Sequence, residues 1–87
     1  MHYIVAYDIR VDRRRQKVMN TLKNYGTRVQ FSVFECEMDR ARLFQLAGML
    51  RALINERTDR IHIFPLCESC YFRGESYGAV QGPFADL

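Results

Sequence analysis

The stretch HYIVAYDIRVDRRRQK, His2–Lys17, changes character at its middle, and that change sets the fold. His2 to Tyr7 is a near-continuous apolar run, too short for a buried helix and rich in β-branched and aromatic side chains. It reads as a strand buried on both faces. The strand stops at Asp8, and Ile9–Val11 make a short connection. Asp12 stands where a helix N-cap belongs, with Arg13, Arg14, Arg15 and Lys17 crowding the first turns behind it. A carboxylate that ends a central strand just before a basic helix start can hold a cation close to bound phosphate. The plainer reading of Asp8 is a strand terminator bonded to loop amides, and the residues alone favour it.

Outward from this stretch the chain alternates between helical and strand periods. The first helix spans Asp12–Tyr25, with Val18, Leu22 and Tyr25 on one stripe and Val11 in line before the cap. Arg13, Lys17, Asn20 and Asn24 form the opposite, wet ridge. Gly26 then takes the left-handed position that closes a helix. TRVQFSVFECEM, Thr27–Met38, is rich in strand formers, but its apolar parity slips at Val33–Phe34, so two short strands meet at a tight turn or bulge near Ser32. Asp39 caps a second helix, Arg40–Arg57, whose core face is Leu43, Leu46, Ala47, Leu50, Leu53 and Ile54; Met49 lies on the far side, open to a partner. In the next strand, Arg60–Leu66, Ile61 and Ile63 alternate with His62 and Phe64, and Pro65 confines it to a sheet edge. The order β-α-β-β-α-β predicts an α+β, ferredoxin-like domain over 1–78, with two helices covering one face of a four-stranded antiparallel sheet. Tyr71–Tyr77 is a candidate additional C-terminal strand, and 79–87 reads as an extended or flexible tail.

At 87 residues there is room for one domain with one modest core, and chains this short often gain stability by oligomerising. The alternation of Tyr3, Val5 and Tyr7 places an apolar set on one side of the first strand; assigned to the face the helices leave open, it calls for cover by a second copy, a homodimer. No apolar run approaches the ~20 residues of a membrane span and the N-terminus lacks a signal-peptide pattern, so the expected location is cytoplasmic. The net charge is +3, yet five cations from Arg10 to Lys17 face only Asp12, a local +4. A patch so confined points to a polyanionic partner as readily as to a solvated helix face.

Four segments carry a family likeness: YDI at Tyr7–Ile9, the basic helix start, RVQFSVFEC at Arg28–Cys36, and RIHIFPLCESC at Arg60–Cys70. Together they resemble the CRISPR-associated protein 2 family, the small subunits of the CRISPR adaptation machinery, described as metal-dependent nucleases. YDI alone is weak, but combined with SVFEC it is specific, and the likeness spans nearly the whole chain in order and spacing. The resemblance implies a ferredoxin-like protomer in a symmetric homodimer whose two copies of Asp8 face one another and bind magnesium. It further implies an endonuclease acting on RNA, with DNA open as a second substrate, that takes part in spacer acquisition beside a larger integrase subunit. Carried over position by position, Tyr7, Arg15, Lys17, Arg28, Ser32 and Phe34 stand around the scissile phosphate, with Asp8 as metal ligand; the charge of the basic helix start separately makes Arg13, Arg14, Arg15 and Lys17 the expected nucleic-acid contacts. Some relatives have arginine where Lys17 stands, and lysine offers a point charge in place of a bidentate fork.

The chemistry of Asp8 stands beside that likeness. Magnesium keeps several waters, so one or two carboxylates plus substrate phosphate suffice, and the bound ion can supply a hydroxide nucleophile. One Asp per chain is thin; a two-fold axis would supply the second. Cys67 and Cys70 form a C-x-x-C pair that Cys36 and His62 could complete as a zinc set. A single such pair is a weak signal, His62 reads as a strand residue in alternation, and reduced thiols are the default in the cytoplasm. Two other function classes stay open. One is a plain RNA-binding module using Phe31 and Phe34, although the glycine spacing of an RNP motif is missing. The other is a catalytically silent scaffold that binds duplex DNA through its phosphates.

Overall fold

The computed structural model describes residues 1–67; Cys70, the expected strand at Tyr71–Tyr77 and the 79–87 tail lie outside the described residues. Strand β1 (His2–Asp8) is buried along most of its length, as a doubly covered strand requires, and only Asp8 at its end is exposed. It lies between β3 (Val33–Glu37) and β4 (Arg60–Leu66), with β2 (Gly26–Gln30) outside β3, so the order is β2-β3-β1-β4 and every pairing is antiparallel. Helices α1 (Asp12–Leu22) and α2 (Arg40–Leu53) complete the ferredoxin-like β-α-β-β-α-β order. Among the described residues β4 is an edge strand, and Pro65, which lacks a donor, sits on it.

The register assigns side chains to faces. Val5 lies opposite Phe34 and Ile63, and Tyr3 opposite Cys36, so these residues share one side of the sheet. Val18, Leu22, Leu46 and Leu50 from the helices join Tyr3, Val5, Tyr7 and Phe34 in a single core. This corrects the expectation for Tyr3, Val5 and Tyr7: they face the helices. The opposite face carries the other parity, with Ile4, itself buried, beside Glu35 and Phe64, and Ala6 beside Val33 and His62.

Four local expectations also change. The N-cap of α1 is Val11, which is exposed, makes no side-chain cap bond and does not extend the buried stripe; Asp12 is the first helical residue, where its charge still favours the helix dipole. α1 ends at Leu22, because Asn24 and Tyr25 donate to Thr21 and Leu22 in a tightened last turn, leaving Tyr25 beyond the helix. α2 ends at Leu53, and Ile54 is already extended. Asn55 then closes a turn by accepting from Thr58 and Asp59 through its carbonyl and from Arg57 through Oδ1. Asp39 does cap α2, accepting from the Arg42 N–H at 2.8 Å.

Gly26 opens β2 instead of closing α1 in a left-handed turn. Its glycine is demanded by close approach: a Cβ there would stand 2.6 Å from the Cys36 Sγ and closer still to the Glu35 carbonyl oxygen. The β2–β3 connection is a two-residue turn, Phe31–Ser32, and the ladder shifts register between Arg28 and Gln30, which accounts for the parity slip. Met49, expected to meet a partner, receives the Tyr25 hydroxyl on its sulfur at 3.3 Å.

Candidate nucleic-acid interface

The end of β1, the β2–β3 turn and the start of α1 converge at one edge of the molecule. The Tyr7 N–H donates to the Ser32 carbonyl at 3.1 Å, and the Tyr7 hydroxyl reaches the Phe31 carbonyl at 3.5 Å, so the turn is tied to the strand beside Asp8. Arg15 organises the other side. Its Nη1 donates to the carbonyls of Ile9 (3.0 Å) and Arg10 (3.4 Å), and its Nη2 pairs with the Asp12 carboxylate. The β1–α1 connection is thus folded around one guanidinium.

Two cavities open here. One, of about 410 Å³, is lined by Tyr7, Asp8, Ile9, Arg10, Arg15, Phe31 and Ser32. The second, of about 190 Å³, shares Tyr7, Arg15 and Phe31 with the first and adds Gln16, Met19 and Arg28. Burial raises the Tyr7 pKa above its ordinary value, against the pull of the Arg28 and Arg15 charges. Tyr7 therefore keeps a neutral hydroxyl at neutral pH, its proton directed to the Phe31 carbonyl. Asp8 is exposed, and among the described residues no side chain hydrogen-bonds or pairs with its carboxylate.

The expected site residues divide. Tyr7, Asp8, Arg15, Arg28 and Ser32 line the two cavities. Phe34 does not: it is wholly buried beneath Tyr7, ring centroids 6.4 Å apart, and offers no face to a base. Its place is to pack the strand that carries the site. Arg13 and Lys17 are exposed on the outer ridge of α1 and line neither cavity. Arg10 and Gln16 join the site without having been singled out for it, and Phe31 joins it having been expected only as a base-stacking aromatic of a plain RNA-binding module. Arg10 was legible only as part of the charge patch.

Arg14 does other work. Its Nε and Nη2 donate to Asp59 at 2.7 and 3.1 Å, a bidentate fork that pins α1 to the loop before β4. Asp59 is buried and also accepts from the Asn55 N–H at 2.9 Å. The Arg14 hydrogen bonds hold its carboxyl down at about 2, against the opposing effect of burial. The assignment of Arg14 to nucleic acid is corrected accordingly, since its donors on this side are consumed within the fold.

The zinc reading fails on position. Cys36 is fully buried on the helix side of the sheet, where burial, and then the Glu35 charge, push its thiol up to about 11. His62 lies on the opposite side, stacked with Phe64 at 6.0 Å. Among the described residues no three His, Cys, Asp or Glu side chains gather around a common metal position. Nor is any described helix long and apolar enough to cross a membrane. A third cavity, of about 380 Å³ between α2 and β4, is lined largely by aliphatic side chains, and of its charged groups Arg51 and Asp59 are already paired, with Glu56 and Arg14.

Residues 1–73 match the family model of CRISPR associated protein Cas2. The chain belongs to this family. A Rhodospirillum rubrum Cas2 protein named as an endoribonuclease is 47% identical over 77 residues, which cover 88% of this chain and 62% of the relative, so the chain spans under two thirds of that protein. A Chloroflexus aurantiacus Cas2 protein, also named as an endoribonuclease, is 46% identical over 95% of this chain and 88% of its own length. Among solved structures, Streptococcus pyogenes Cas2 superposes with a TM-score of 0.79 at 32% identity, covering 90% of this chain and all of that one. A chain of a partial Cas6-RT-Cas1–Cas2 complex superposes with a TM-score of 0.75 at 30% identity, covering 99% and 98%. The ferredoxin-like arrangement derived from the residues is therefore the arrangement of solved Cas2 chains.

Proposed function

We propose that this Cas2-family chain is a metal-dependent phosphodiesterase, an endoribonuclease that also meets DNA, and that it serves spacer acquisition as a homodimer with a larger integrase subunit. The observation that carries the reading is the shared cavity in which the Asp8 carboxylate meets Arg10, Arg15, Ser32 and the neutral Tyr7 hydroxyl. The likeness to the Rhodospirillum and Chloroflexus endoribonucleases supports the activity, and the likeness to a chain of the Cas1–Cas2 complex supports the partner. Asp8 fits magnesium as an exposed hard oxygen donor with no cation pairing it among the described residues, and a dimer would provide its second copy. Bound there, magnesium would supply an acidified water and neutralise charge at phosphorus.

The chain's own residues supply position and charge. Arg10 and Arg28 offer guanidinium to the phosphate, Ser32 offers a hydroxyl donor, Tyr7 ties the β2–β3 turn to the strand that carries Asp8, and Arg15 keeps the connection that presents Asp8 in one conformation. Arg13 and Lys17 take the flanking phosphates from the ridge of α1. The reading places the work in the cytoplasm and within one domain, 1–78. Cleavage of RNA and DNA should need divalent metal, vanish in chelator, and be lost in Asp8→Asn while nucleic-acid binding persists. Cleavage by Asp8→Asn at the parent's rate, or indifference to chelator, would refute it.

A silent scaffold is the second reading, favoured by Arg13 and Lys17 lining neither cavity and so being placed for phosphate contact without cleavage. A scaffold keeps spacer acquisition in Asp8→Asn, whereas an obligatory nuclease loses it.

A further inference from the structure

We infer that Phe31 is a base-stacking platform, the residue by which this site selects an unpaired nucleotide; the inference deepens the phosphodiesterase reading and rests on it. Phe31 is 71% exposed, the largest exposure among the large apolar side chains described, although it occupies a turn that glycine or asparagine would fill at no hydrophobic cost. Its ring is held. The Arg28 guanidinium lies over one face, 5.1 Å from the centroid, and the Arg28 Nε is itself anchored to the Gln30 carbonyl at 3.3 Å. The Phe31 carbonyl receives the Tyr7 hydroxyl. The exposed ring therefore has one face backed by a cation and the other open.

Its place decides what the open face is for. Phe31, with Tyr7 and Arg15, forms the wall common to both cavities, with Asp8 and Arg10 on one side and Arg28 and Gln16 on the other. A phosphodiester drawn toward Asp8 brings its neighbouring base within reach of the ring. Stacking on an aromatic face is sequence-tolerant, because every base has a π face, and a cation behind the ring strengthens the platform. A base in a duplex is already stacked on both sides and cannot use it. The site thus favours an unpaired nucleotide beside the scissile phosphate, in RNA or DNA. Phe34, the other aromatic of the segment, is wholly buried and cannot share the task.

The test is direct binding of single strands of about 12 nucleotides, within the ~4–16 nucleotide range of such sites, and of a duplex of the same length. The full chain is used, with chelator present so that nothing is cleaved. Phe31→Ala should weaken single-strand binding roughly 5- to 150-fold, the worth of one stacked base, and leave duplex binding within about twofold. Phe31→Tyr should restore the parent's affinity, while Phe31→Leu, apolar but without a π face, should behave like Phe31→Ala. One abasic nucleotide walked along the strand should cost affinity at a single position in the parent and at none in Phe31→Ala. Full single-strand affinity in Phe31→Ala overturns the platform alone, as does equality of Leu and Tyr. So does an equal loss on duplex, or a sedimentation change showing that the ring holds a partner protomer. A parent that binds neither strand form overturns the phosphodiesterase reading as well.

Discussion

Replacing Asp59 by Asn keeps the shape of the side chain and removes its charge, which isolates the fork that Arg14 makes. Four donors reach this carboxylate: two from Arg14, the Asn55 N–H at 2.9 Å and the Thr58 hydroxyl at 3.2 Å. Holding the carboxyl from its ordinary 3.8 down to about 2 corresponds, at roughly 1.4 kcal/mol per pKa unit, to about 2.5 kcal/mol. The Arg14 side chain is a quarter exposed, and solvent screening on that side brings the figure to about 1–2 kcal/mol. The sign follows from the direction of the displacement. A carboxyl whose folded pKa lies below its unfolded one stabilises the fold above about pH 4, and that contribution is lost as pH falls through 4 toward 2. Urea unfolding at fixed protomer concentration should therefore show Asp59→Asn less stable than the parent by about 1–2 kcal/mol at neutral pH, with the two curves converging near pH 2. Arg14→Lys should shift stability in the same direction, since it keeps the charge and loses the fork. Curves that run parallel down to pH 2, or a variant as stable as the parent, would refute the pin and return Arg14 to the surface.

The basic cluster should separate in binding. Arg13→Ala and Lys17→Ala should each flatten the salt dependence of log K by roughly 0.7–0.9 with stability unchanged, whereas Arg14→Lys should leave the slope as it is; an unchanged slope in the first two would make the ridge a solvated face. Gly26→Ala should cost about 1–3 kcal/mol in urea unfolding, because β2 must move away from β3 to admit the methyl group; a neutral result would mean the two strands part freely there.

How much of this was legible in the sequence depended on how local each signal was. The order of elements, the buried β1 and, among the described residues, the edge position of β4 follow from periodicity and from Pro65, and they hold. Helix ends were misplaced where tertiary partners decided them. Asn55 and Asp59 close the turn after α2 because Arg14, forty-five residues earlier than Asp59, fixes the carboxylate. No window of local sequence contains that pairing. The face of Tyr3, Val5 and Tyr7 was open for a related reason: alternation shows that three residues share a side, but not which side the helices will cover. Gly26 misled because a glycine after a helix has a familiar role, while its actual constraint comes from Glu35 and Cys36 on the neighbouring strand.

The run Arg13-Arg14-Arg15 shows the same limit at the site itself. Successive residues on a helix point about 100° apart, so three adjacent arginines cannot share one task. Arg13 faces solvent, Arg14 reaches sideways to Asp59, and Arg15 folds back on the carbonyls of Ile9 and Arg10. Of the five cations from Arg10 to Lys17, therefore, only Arg10, Arg13 and Lys17 have side chains without a protein acceptor among the described residues. That sets a ceiling on what the cluster can contribute to phosphate binding, a salt slope of about 2–3 per protomer where the five cations of the bare sequence promised about 4. The remaining two arginines act one step earlier. They fix the angle of α1 against β4 and the path of the connection after Asp8, and so hold the acidic and basic groups of the cleft at their mutual distances before any nucleic acid arrives.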